Sequence, residues 1–215
     1  MSAKTTPNPL PSTSPPVSGE RQLVLASTSR YRQDLLARLG LPFITVAPET
    51  VEASLAGEAP ASTAMRLAEA KARSVATRHP HALIVGSDQI ADCDGLAIGK
   101  PENHEDAVVQ LTMLSGKTVV FHTGLALLDA ESDQCQTALV DVRSTFRRLS
   151  AAEIDVYLRS DQPYDCAGSV KVEALGIALF TRITSDDPTA LIGLPLIRLT
   201  DMLRAAGVAA LSASR

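Results

Sequence analysis

The apolar residues of this chain change period again and again, and that change limits the folds open to it. QLVLA (22–26) reads as a buried strand, its residues 23–26 a continuous apolar run. The next segment, SRYRQDLLARL, repeats its apolar residues at three and four, as an amphipathic helix does, and stops at Gly40. PFITVA (42–47) reads as a second strand. A long helix follows over 62–79, started by Ser62 or Thr63 and ended before Pro80, and ALIVGSDQ (82–89) is a strand that ends in charge. Beyond a GKP loop the spacing predicts a helix over 104–114 capped near Gly116, a strand pair over 117–129 and 135–148, a helix from Ser150, a short strand near 175–181 and a closing helix over 195–206. Strands that alternate with helices bury their faces as a sheet covered by helices, so the expected class is α/β.

A chain of 215 residues with 45% hydrophobic side chains can bury a core of one-domain size. Its first twenty residues hold five prolines among serines and threonines, which predicts a disordered tail over 1–20 ahead of a folded domain over 21–210. No apolar run approaches the roughly 20 residues that span a bilayer, so no membrane association is expected. Tryptophan is absent, aromatics make up 3%, and the net charge is −4. Those figures argue against a nucleic-acid partner, which needs stacking platforms or a basic footprint, and leave room for a small anion held by a few local cations. Cys93, Cys135 and Cys166 form no CxxC pair, and their odd number predicts reduced packing thiols in a cytoplasmic protein.

Two helices carry a charge where the wheel calls for an apolar residue. In the first, Tyr31, Leu35, Leu36 and Leu39 form one face; Arg32 falls inside that arc and Arg30 points away. Arginine in a first turn opposes the helix dipole unless an anion is expected there. In the long helix, Lys71 lies in the stripe of Ala64, Leu67, Ala68, Ala72 and Val75, with Arg66, Glu69 and Arg73 on the opposite, solvated side. An inward cation needs a carboxylate partner or a cleft, and an internal ion pair or a snorkelling stem would serve as well as a ligand.

Asp88 follows the apolar LIVG, where α/β sheets bind ligands, although a turn cap would use the same residue. Lys100 sits in GKP, Glu52 follows VAPETV, and Ser27 and Ser29 read equally as turn and N-cap residues. As a set, these groups suit a polyphosphate with a divalent cation. His79, His81, His104 and His122 show no zinc-ligand spacing.

LASTSRYRQDLL, LAEAKA, GSDQ, GKP, TGLAL and YDCAGSVKVEALG, in this order from Leu23 to the closing helix, resemble the Maf family of nucleotide pyrophosphatases. The resemblance implies a Maf/ITPase-like fold, a mixed sheet flanked by helices with two lobes around a deep cleft, frequently a homodimer. It implies hydrolysis of a nucleoside triphosphate between the α and β phosphates, with magnesium or manganese. It assigns Asp88 as catalytic carboxylate and places Ser27, Arg32, Glu52, Lys71 and Lys100 around the phosphates and the metal, with Glu52 and Asp88 as metal carboxylates. Val51 stands where the family often has aspartate. Tyr31, Gln89 and VKVEALG are similar to the branch that acts on 7-methyl-GTP rather than to the dTTP/UTP branch. An aromatic ring attracts a cationic methylated purine, and the Glu173 carboxylate can accept from guanine N1–H and its amine. The other assignments for these two are a core residue and a surface charge. A non-catalytic nucleotide-binding regulator of septum formation is the reading from a different class.

Overall fold

A computed structural model of the chain describes residues 21–211; the tail expected over 1–20 lies outside the described residues. Among the described residues, seven strands form one mixed sheet in the order β2-β1-β3-β5-β6-β7, with β4 paired to the far part of β3. Strands β1 (Leu23–Ala26), β2 (Phe43–Val46) and β3 (Leu83–Cys93) are parallel. From β3 onward the pairing is antiparallel through β5 (Thr118–Asp129), β6 (Gln134–Phe146) and β7 (Phe180–Thr184). The expected mixed sheet flanked by helices is the fold observed.

Alternation along the strands sorts the core into layers. Leu23, Leu25, Leu83, Val85, Leu125 and Leu127 meet α1 (Arg30–Ala37) and α5 (Leu196–Ala205) on one face. Val24, Ala26, Ile84, Ala126 and Leu128 meet α2 (Pro60–Ala76) on the other. Farther along the long strands, Ala91, Phe121, Val142 and Phe146 pack with α3 (His104–Leu114) and α4 (Ala151–Asp161) as the core of a second lobe. Glycine lets α2 lie flush on the sheet. A Cβ at Gly86 would stand 2.1 Å from the Ala68 carbonyl oxygen, and one at Gly124 would stand 2.2 Å from that of Ala64.

Several boundaries differ from the sequence expectation. Helix α2 begins at Pro60, because proline at the first helical position gives up an amide that has no partner there anyway, and it ends at Ala76. Strand β3 does not stop at Gln89 but continues to Cys93, since β5 still pairs with it after β1 has ended. An Asp94-Gly95 turn, with φ 57° and 85°, then folds β4 (Leu96–Ile98) back onto β3. The sequence reading passed over this aspartate-glycine hairpin signal. The strand expected near 175–181 is instead a short helical turn over Leu175–Leu179 followed by β7. That turn needs glycine at 176 for want of space, as a Cβ there would fall 2.4 Å from the Lys171 carbonyl oxygen. The Ser29 and Ser150 caps form as read, with side chains accepting from the Arg32 and Glu153 amides. Cys93 is buried, Cys135 and Cys166 are half-buried, and all three are free. No helix of the described residues is long and apolar enough to cross a membrane.

Candidate active site

A cleft of about 970 Å³ opens beyond the end of β1, between the turn that leads into α1, the buried face of α2 and the 165–173 segment of the second lobe. Every residue singled out from the sequence lines it: Ser27, Tyr31, Arg32, Glu52, Lys71, Asp88, Gln89, Lys100 and Glu173.

Its floor is an ion triad. Lys71, 5% exposed, places Nζ 2.6 Å from Asp88 Oδ1 and 2.6 Å from Glu52 Oε1. The even-numbered residues of β3 face α2, so Gly86 admits the helix and Asp88, one pleat farther on, meets its lysine. Asp88 is 7% exposed and lies within the strand, not at its end as read; the parallel pairing with β1 ends before it, at Val85. Burial works against ionisation of Glu52, but its bond to Lys71 and the charges of Lys71, Lys100 and Arg32 hold its carboxyl below the ordinary range. Each carboxylate keeps one oxygen, Glu52 Oε2 and Asp88 Oδ2, that takes no hydrogen bond from a described residue. Two hard oxygen donors facing an open cleft suit magnesium or manganese, which keep several waters and share phosphate oxygens. No group of three or more metal-ligating side chains occurs among the described residues, so the fit is to a cation bound partly by substrate and water.

Arg32 turns inward as its wheel position predicts, whereas Arg30 reaches the cleft from its solvated rim, 90% exposed and paired with Asp34 at 3.9 Å. Burial lowers the pKa of Arg32, with Asp88 and Glu52 acting the other way. Its Nε donates to the Gly193 carbonyl at 2.8 Å, and that oxygen also accepts from Ser87 Oγ at 2.9 Å. Gln89 acts on the same segment. Its amide nitrogen donates to the Ala190 and Leu191 carbonyls at 2.9 and 3.1 Å, so its donor holds the 190–193 loop rather than facing the cleft unengaged. Sequence reasoning missed this loop, although GLP at 193–195 marks an irregular segment, and Gly193 takes φ 114° there. Ser27 is buried, with Oγ accepting from the Ser29 amide at 3.1 Å, and Lys100 is exposed at the cleft edge.

The far end of the cleft is aromatic and acidic. Tyr31 is half-buried on the cleft wall rather than in the core, and burial raises its pKa. Lys171, which the sequence reading did not single out, lies 5.9 Å from the Tyr31 ring centroid. It donates to the Asp161 and Gln162 carbonyls at the C-terminus of α4 and pairs with Asp165 at 3.4 Å. Burial pushes the nearby Cys166 thiol up to about 12, so it stays protonated. Glu173 is exposed along the cleft with no hydrogen bond or ion pair to a described residue.

Comparison with known proteins matches residues 22–206 to a family model described as Maf-like protein. Three curated relatives are named 7-methyl-GTP pyrophosphatase. That of Albidiferax ferrireducens is 53% identical over 194 residues, covering 90% of this chain and 98% of its own. That of a Polaromonas species is 57% identical over 189 residues, covering 88% and 86%. That of Cupriavidus metallidurans is 54% identical over 185 residues, covering 86% and 93%.

Proposed function

The chain belongs to the Maf family, and from that premise we propose that it is a nucleoside triphosphate pyrophosphatase that hydrolyses 7-methyl-GTP to 7-methyl-GMP and pyrophosphate. The relatives' names support the substrate. The observation that carries the chemistry is Lys71 held between Glu52 and Asp88 at the floor of a cleft that Arg32 and Lys100 also line.

In this reading Arg32, Lys71 and Lys100 neutralise the triphosphate oxygens, and the Ser27 hydroxyl hydrogen-bonds to one of them. Asp88 accepts a proton from water as the water oxygen bonds to the α phosphorus. The bond from that phosphorus to the α–β bridging oxygen breaks, and the bridging oxygen departs with pyrophosphate. Glu52 and Asp88 are the residues that would hold magnesium or manganese. Such a cation, when bound, offsets charge that builds on the phosphate oxygens. Tyr31 presents its ring to the cationic base, and Glu173 accepts from N1–H and the exocyclic amine. Gln89 contributes to specificity by holding the 190–193 loop that forms part of the wall. On the family resemblance we extend the proposal to a cytoplasmic homodimer, which sedimentation of the purified chain checks.

Pyrophosphate release from 7-methyl-GTP, GTP, dTTP and UTP tests the proposal. The expected order of kcat/KM is 7-methyl-GTP, then GTP, then the pyrimidines, with Asp88→Asn slower by roughly 10²–10⁴-fold on the first. A preference for dTTP or UTP would place the chain in the other branch. Binding without hydrolysis would favour the regulator, and an Asp88→Asn rate above about a tenth of wild type would remove Asp88 from the chemistry.

A further inference from the structure

Residues 47–58, which carry Glu52, form no helix or strand; they run along α2 in the opposite direction. At the near end, Arg78 Nη2 donates to the Ala47 carbonyl at 3.0 Å and the Glu49 amide donates to Ser74 Oγ at 3.2 Å. In the middle stands the Glu52–Lys71 pair. At the far end, Arg66 grips Glu58 with two parallel bonds of 2.7 Å, and Arg66 Nη2 also donates to the Ala53 carbonyl at 3.0 Å. Glu58 further accepts from the Leu55 amide and the Thr63 hydroxyl.

This strap has little apolar anchorage. Val51 is 82% and Leu55 60% exposed, so polar clamps, not burial, hold the backbone on either side of Glu52. The helical wheel puts Arg66 on the solvated side of α2, and the structure turns it to the strap. A planar guanidinium meets both Glu58 oxygens with two parallel bonds while it serves a carbonyl, a fork that the single nitrogen of an ammonium does not reproduce.

We infer that Arg66 is a positioning residue: through Glu58 and the Ala53 carbonyl it fixes the strap next to Glu52 and so sets that carboxylate where, with Asp88, it takes the divalent cation. The inference rests on the proposed reading of Glu52 and Asp88 as the cation's carboxylates. Without the clamp, the strap would be ordered anew at each binding event, and the entropy lost then would weaken the cation.

The test is Mn²⁺ binding to the full chain, followed by electron paramagnetic resonance, for wild type, Glu52→Ala, Arg66→Met and the double variant. Each single change should weaken Mn²⁺ by about 10-fold, the scale seen when groups supporting a ligand are lost. The double variant should bind no worse than Glu52→Ala alone, because Arg66 acts only through Glu52. Arg66→Lys, which keeps the stem and the charge, guards against a folding defect and should still weaken Mn²⁺ several-fold. Three outcomes overturn the inference: Arg66→Met or Arg66→Lys binding as wild type does, a double variant weaker than Glu52→Ala by a further 10-fold or so, or Glu52→Ala binding unchanged. Because the cycle reads binding and not turnover, the inference and the proposed hydrolysis fail separately.

Discussion

Lys71→Met changes one buried charge while keeping a flexible stem of similar length, so no large cavity opens. It leaves Asp88, 7% exposed, without the cation 2.6 Å from its Oδ1, and beside a second carboxylate that Lys71 had also neutralised. Removing one partner of a buried pair costs about 3–5 kcal/mol, and the lower end applies here because the Glu52 side chain is 55% exposed and solvent screens its share. About 3 kcal/mol in a fold of this size lowers Tm by roughly 6–12 °C. Lys71→Met/Asp88→Asn removes the orphaned charge as well and should regain at least about half of that loss, an interaction of neighbouring sites that additive changes would not give. Circular dichroism melts and urea titrations of wild type, both single variants and the double variant measure the cycle. A double variant that melts at or below Lys71→Met would refute the claim that Lys71 is there to neutralise Asp88.

Three further outcomes are expected. Arg32→Ala should weaken triphosphate turnover by about 2 kcal/mol through loss of a charge-assisted contact, while Arg30→Ala should do much less; equal losses in kcat/KM would sink the orientation argument. Glu173→Gln should narrow the gap between 7-methyl-GTP and GTP, a gap to which the ring contact adds roughly 0.5–2 kcal/mol, since an amide still hydrogen-bonds but no longer complements the base's charge; an unchanged ratio of kcat/KM values would remove it from the base end. Gly124→Ala, with backbone 2.2 Å from the new Cβ, should destabilise by about 1–3 kcal/mol in urea, whereas Gly99→Ala, with nothing within 4 Å, should stay within about 0.5 kcal/mol; similar midpoints for the two would refute the close approach of α2 to the sheet.

The site was legible wherever it depends on one helix at a time. A period of 3.6 tells which side of a helix faces the protein, and it singled out Arg32 and Lys71 without knowledge of what they face. Hydroxyls ahead of apolar runs located the starts of α1 and α4 for the same local reason. Lys100 gave only a weak local signal in GKP and Glu52 none by itself; both counted as members of a charged set, and their places around the phosphates and the metal came from the resemblance of ordered motifs.

What lies across the chain was decided only in three dimensions. Lys71 and Asp88 stand 17 residues apart in sequence, and they meet because Gly86 and Gly124 bring α2 down onto β3 and β5. Arg32 and Gly193 are separated by 161 residues, and nothing near either one names the other. Strand β3 outlasts its expected end because β5, 30 residues on, supplies its hydrogen bonds, and the strap reverses along α2 because Arg66 and Arg78 happen to stand beside it. By itself, then, the sequence determined which residues turn inward and in what order the elements come, since side-chain periodicity is a property of each segment. Which inward charges share one cleft was left to the tertiary structure, because pairing a carboxylate with its cation depends on how distant segments close against each other, and no local period encodes that closure.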